Sequence, residues 1–120
     1  MEITAVLAQY MHDATADELV ELTADVDAYL EVVRQAAAER DFVDVRLAEQ
    51  IVAALNTLIA DAVDYTAKER SLLAGAVRYF TNVNDENRDL TSPTGFDDDA
   101  EVLNAVCDYL GREDLEIHLE

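Results

Sequence analysis

Basic residues are scarce. Lys68 is the single lysine, and together with seven arginines it faces 27 acidic residues, giving a formal net charge of −19. Nucleic-acid affinity comes mainly from Lys and Arg displacing counterions from phosphate, so a chain without a basic stripe is not expected to bind DNA or RNA directly. An anionic membrane surface is disfavoured for the same reason. The single cysteine, Cys107, excludes an intrachain disulfide and any cysteine-based zinc or iron–sulfur cluster within one chain. It lies in the run Val102, Leu103, Val106, Tyr109, Leu110, which predicts a small core residue. Uninterrupted apolar stretches such as Leu72 to Val77 are far short of the ~20 residues that span a bilayer. Met1-Glu2-Ile3 lacks the positive and apolar regions of a signal peptide. The expectation is a soluble cytoplasmic protein with no stable membrane insertion.

Punctuation is equally sparse, with one proline, Pro93, and three glycines. Alanine is abundant, leucine and valine are common, and little interrupts the pattern, which favours helices over strands. At 120 residues and 51% hydrophobic content, the expectation is one all-α domain, residues 1–120, burying roughly 65% of its unfolded surface. Many Asp, Ala and Val residues with arginine in place of lysine suggest a salt-adapted proteome or a GC-rich genome. Self-repulsion should then weaken the fold at low salt.

Periodicity predicts about five helices in a compact bundle. Ile3, Val6, Leu7, Tyr10 and Met11 share one face of a short helix over residues 3–12. Thr15 to Glu18 is a T-x-x-E capping box opening a second helix to about Arg40, with Leu19, Leu22, Val26, Leu30, Val33 and Ala37 as its stripe. Asp44 caps a third helix, ending near Tyr65, with Leu47, Ile51, Ala54, Leu55, Leu58 and Ala62 inward. Thr66 to Glu69 repeats the capping box before Leu72, Leu73, Ala76, Val77 and Phe80. Asp98 and Glu101 form a D-x-x-E start for the fifth helix, with Asp98 as N-cap, and Gly111 stops it. The tail carries alternating Leu115, Ile117 and Leu119, and either docks in extended form or stays mobile. Val20, Val32, Ile59 and Val63 lie off the main stripes; they read either as part of a broad core or as a second apolar face that makes a homodimer.

The one long connection, residues 82–97, gathers Asp85, Asp89, Asp97, Asp98 and Asp99 around Pro93 and Gly95. A connection of this length in a small domain is usually functional or disordered, and its special residues favour order. Tyr79-Phe80, Asp85, Asp89, Gly95, Asp98-Asp99-Ala100 and Val102-Leu103 match without gaps the signature of the YkvA-like domain, so this segment resembles that family of small helical domains of unknown function. The resemblance covers about 25 of the 120 residues and the preceding helix. It implies a helical fold with a shared acidic loop and brings no known activity. Family positions between the acids are mostly apolar with prolines, and some members look membrane-associated. Here they are Thr81, Asn82, Asn84, Glu86, Asn87 and Arg88, which departs from that association.

Asp85, Asn87, Asp89, Asp98 and Asp99 are the candidate ligands of a divalent cation, since clustered carboxylates suit Ca²⁺ or Mg²⁺. A standard EF-hand is excluded, because Leu90 stands at the turn glycine and Phe96 at the bidentate glutamate. Helix capping, Asx-turns and pairing with Arg78 or Arg88 account for the same acids without a metal. Catalysis has little support: His12 and His118 lie near opposite ends and read as surface histidines, Ser71 and Ser92 are in no nucleophile turn, and no phosphate-cradling glycine motif exists. The leading expectation is a non-enzymatic protein-interaction module without a cofactor, whose partner is an unidentified protein. Its rivals are a Ca²⁺ or Mg²⁺ binder and an acidic immunity-type or DNA-mimic inhibitor of a basic partner.

Overall fold

A computed structural model describes residues 2–40, 44–81 and 96–117. The described chain is all α, with five helices and no strand among the described residues. Its Cα radius of gyration is 13.5 Å, close to the value of about 13.6 Å expected for a compact chain of this length.

Both predicted capping boxes form. Thr15 Oγ1 accepts from the Glu18 amide at 3.1 Å while Glu18 accepts from the Thr15 amide at 3.3 Å, opening α2, Ala16–Glu39. Thr66 and Glu69 repeat the exchange at 3.2 and 2.8 Å ahead of α4, Ala67–Phe80. Each satisfies amides that have no partner within the helix. Asp44 accepts from the Leu47 amide to start α3, Val45–Ala60. This helix ends earlier than the periodicity suggested. Asp61 caps it, and a single 3₁₀ turn, Ala62–Asp64, carries the chain to Tyr65.

The first helix is likewise shorter than residues 3–12. Only α1, Ile3–Val6, is α-helical, and the chain then tightens so that the amides of Tyr10 and Met11 both bond to the Leu7 carbonyl, at 2.8 and 2.9 Å. Leu7 is fully buried by this turn. Met11 is carried onto α4, where Gly75 leaves room: a Cβ there would stand 2.9 Å from Met11 Cγ. Arg70 fastens the same junction, donating to the Ala14 carbonyl at 3.0 Å and the Tyr65 carbonyl at 2.6 Å.

α2 and α3 run antiparallel as a hairpin, bridged by Arg34 to Glu49 at 3.2 Å and Asn56 to Asp27 at 3.4 Å. Leu19, Val26, Tyr29, Leu30 and Val33 on one side meet Leu47, Ile51, Leu55 and Leu58 on the other. α4 and α5, Asp97–Leu110, close the bundle, and Tyr29, Phe80 and Phe96 meet at one end: the Tyr29 and Phe80 centroids lie 5.1 Å apart edge to face, and Phe80 and Phe96 6.2 Å apart. Of the four apolar residues off the main stripes, Ile59 is 2% exposed and follows the broad-core reading. Val20, Val32 and Val63 are exposed, and Val20 and Val32 point about 120° apart around α2, so they form no common stripe.

α5 also starts differently from expectation. Phe96 occupies the N-cap, with no side-chain hydrogen bond there, and Asp98 lies within the first turn instead of capping it. Phe96 is buried against Phe80, so the aromatic contact sets the helix entry and moves the start two residues earlier. Asp97, Asp98 and Asp99 all fall where the helix dipole favours negative charge. Gly111 ends the helix in the left-handed region, φ 72°, and the Arg112 amide reaches back to the Cys107 carbonyl at 2.8 Å, as predicted for a glycine stop.

Candidate functional site

Of the five residues expected to bind a cation, Asp85, Asn87 and Asp89 lie outside the described residues, as does the rest of the connection from 82 to 95. Asp98 and Asp99 are described. As neighbours on α5 they point about 100° apart; Asp98 is exposed and Asp99 is buried, 6% exposed. Asp99 borders a small internal void of about 10 Å³ whose other walls include Leu55, Ala76, Phe80 and Leu103. Among the described residues no group of three or more His, Cys, Asp or Glu stands close enough to hold a metal ion. Elsewhere along α4 and α5, Phe80, Ala100, Val102 and Leu103 are buried, and Tyr79 stacks edge to face on Tyr10 at 5.6 Å.

His12 departs from its expected surface position. It is half-buried, and Nδ1 is enclosed without a hydrogen-bond partner among the described residues. Cys107 is fully buried as predicted, and burial, reinforced by the carboxylates of Glu116 and Asp114, pushes its thiol up to about 11. A thiol held in that form is a packing residue and a poor nucleophile.

Two surfaces remain. The first is the outer face of α2, where Asp17, Glu18, Glu21, Asp25, Asp27, Glu31 and Glu39 are all exposed. Asp17, Glu21 and Asp25 follow one another at four-residue spacing, and Asp27 and Glu31 repeat it, which places like charges side by side. The one cation within the helix, Arg34, is engaged with Glu31 at 3.6 Å and Glu49 at 3.2 Å.

The second is a cleft between α3 and α5 in which the C-terminal segment sits. After Gly111 the chain makes a 3₁₀ turn, Glu113–Leu115, and then extends. The docked form of the tail is therefore the one observed for residues 112–117. Arg112 Nη1 donates to Asp61 Oδ2 at 2.6 Å and to Tyr65 Oη at 3.4 Å, while Nε donates to Asp114 at 3.3 Å. The hydrogen bonds to Asp114 and Asp61 raise the guanidinium pKa further, and Asp114 is lowered in return. Asn104 Nδ2 donates to the Ile117 carbonyl and Asn104 Oδ1 accepts from the Ile117 amide, both at 2.7 Å. Alongside, an open groove of about 400 Å³ runs past Gln50, Ala53, Ala54 and Thr57.

Sequence reasoning singled out neither Asn104 nor Asp61. The signal available was the alternation of Leu115 and Ile117 after a glycine stop, which marks an edge able to dock but not its receptor. Comparison of the chain with models of protein families, with curated proteins and with solved structures finds no match.

Proposed function

We propose that this chain is a non-enzymatic interaction module, resembling the YkvA-like domain in its helical frame, that binds a basic protein partner through its acidic surface. The observation that carries the reading is the outer face of α2, where three like-charge pairs at four-residue spacing stand exposed. Each such pair costs a helix about 0.2–0.5 kcal/mol, so the arrangement works against the fold and is relieved when cations approach it. Opposite charge on a partner would also accelerate encounter, with on-rates falling as salt rises.

The test is affinity capture at low and high salt with three forms of the chain: wild type, the triple variant Asp17→Lys/Glu21→Lys/Asp25→Lys, and a control carrying the same charge change at the exposed Asp64, Glu101 and Asp108. Basic proteins retained by wild type and by the control, released by salt, and lost with the α2 variant support the reading. An identical retained set on all three forms overturns it.

A further inference from the structure

Between its carboxylates the outer face of α2 carries an uncharged row. Ala16, Val20, Ala24, Ala28, Val32 and Ala36 follow one another at four-residue spacing along the helix, and no charged residue interrupts them. Val20 and Val32 share no stripe along the axis, yet both belong to this inclined row, which is one of the ridges by which helices interlock. Each step of four residues turns the row by about 40°, so it crosses the outer face diagonally. Its ends, Ala16 and Ala36, pack on the core, whereas Val20, Ala24, Ala28 and Val32 are exposed, the two valines to 55% and 39%. One exposed valine needs no explanation. Four consecutive exposed members of one row, between rows that carry acids, form a ridge on which another helix can pack. Alanine at the two central positions lets the partner backbone approach closely.

The flanking charge selects the occupant. Asp17, Glu21 and Asp25 line one side of the row in its N-terminal half, and Asp27, Glu31 and Glu39 line the other side in its C-terminal half, all of them exposed. Arg34 offsets one of these charges, at Glu31. A second copy of this chain would lay its own acids against them, on molecules that each carry a net charge of −19, so the face is unsuited to self-association. We infer that the ridge of Val20, Ala24, Ala28 and Val32 is the seat of a basic amphipathic helix of a partner protein, which lays an apolar ridge across α2 and sets Lys or Arg against the acids on either side. This rests on the basic-partner reading and gives the partner segment its secondary structure and its place on α2.

The probe is a fluorescein-labelled helical peptide of roughly 20 residues, with leucine and alanine at four-residue spacing and lysine and arginine in the adjoining rows. A second peptide has the same composition with its leucines dispersed around the helix. Both are titrated by fluorescence polarisation against the full wild-type chain, against Ala24→Gln/Ala28→Gln, which raises the ridge without changing charge or helix propensity greatly, and against Ala38→Gln/Ala53→Gln, the same change at exposed positions off the row. The amphipathic peptide should bind wild type and the off-row control alike and the ridge variant about tenfold more weakly, while the dispersed peptide should not distinguish the three. In the wild-type chain, which needs no substitution to fold, the amphipathic peptide should shift the amide resonances of Val20, Ala24, Ala28 and Val32. Equal affinity for the two peptides, or indifference to the ridge variant, overturns the seat and leaves the basic-partner reading standing. Failure of both peptides to bind at low salt overturns the seat and removes the electrostatic support for the basic partner as well. A wild-type chain that sediments as a dimer, made monomeric by the ridge variant, assigns the ridge to a second copy and overturns the basic occupant.

Discussion

Asn104 on α5 holds Ile117 by both of its backbone polar groups, donating to the carbonyl and accepting from the amide at 2.7 Å each. One side-chain amide thus replaces the neighbouring strand that an extended segment would otherwise need. Asn104→Ala should lower the unfolding free energy by about 2 kcal/mol, because two hydrogen bonds are lost and the groups left behind are partly buried. Urea titration measures the loss, and limited proteolysis should show cleavage after Arg112 appearing at much lower protease concentration. Unchanged cleavage would mean that other contacts alone hold the tail.

Gly75 and Met11 make a second test. Glycine inside an exposed helix costs about 1 kcal/mol relative to alanine, yet a methyl group at Gly75 would stand 2.9 Å from Met11 Cγ and 3.4 Å from the Met11 amide nitrogen. Gly75→Ala should therefore destabilise the wild-type chain by roughly 1 kcal/mol, as overpacking does. In a Met11→Ala background the clash with the side chain is gone, and the same substitution should become neutral or stabilising. A double-mutant cycle by thermal or urea unfolding gives the sign.

Burial of Cys107 ties stability to alkaline pH. Its thiol titrates at about 11 in the folded chain against an ordinary 9.0, so between those values the unfolded chain releases a proton that the folded chain keeps. Stability contributed by the protonated thiol is complete below about pH 9 and is lost as pH rises toward 11, by up to about 2–3 kcal/mol. Tyr65, whose hydroxyl is raised by burial, adds in the same direction. Cys107→Ala should flatten part of the decline in urea midpoints measured from pH 8 to 11. At neutral pH a thiol reagent should react with Cys107 only at the rate of opening.

The charge balance predicts a response to salt. With a net charge of −19 and ion pairs of Arg34 and Arg112 that are largely solvent-exposed, screening should relieve more repulsion than it removes attraction. The melting temperature should rise by roughly 5 °C between low salt and molar sodium chloride. A flat or falling profile would show that the carboxylates are spaced widely enough not to interact.

The elements of this protein follow from interactions between near neighbours. Thr15 with Glu18, Thr66 with Glu69, Asp44 with the Leu47 amide and the left-handed Gly111 are contacts within a few residues, so reading along the chain locates three helix starts and one stop. The stripes through Leu19, Val26 and Val33, and through Leu47, Ile51 and Leu58, are legible because a helix must bury one face. Local reading fails where a distant residue intervenes. Phe96 took the N-cap expected of Asp98 because Phe80 draws it inward, and α1 stopped at Val6 because Leu7 and Met11 turn to meet α4.

Sequence alone therefore determined the helical class, the caps of α2, α3 and α4, the inward stripes and the acidic exterior, all properties of composition or of contacts a few residues long. Tertiary structure alone decided that Ile59 is core, that the tail lies in a cleft, and that Asn104 and Asp61 receive it. The physical reason is separation along the chain. An asparagine in the middle of a helix looks the same whether it faces water or clasps a backbone, and only the packing of α3 against α5 brings Ile117 within its reach.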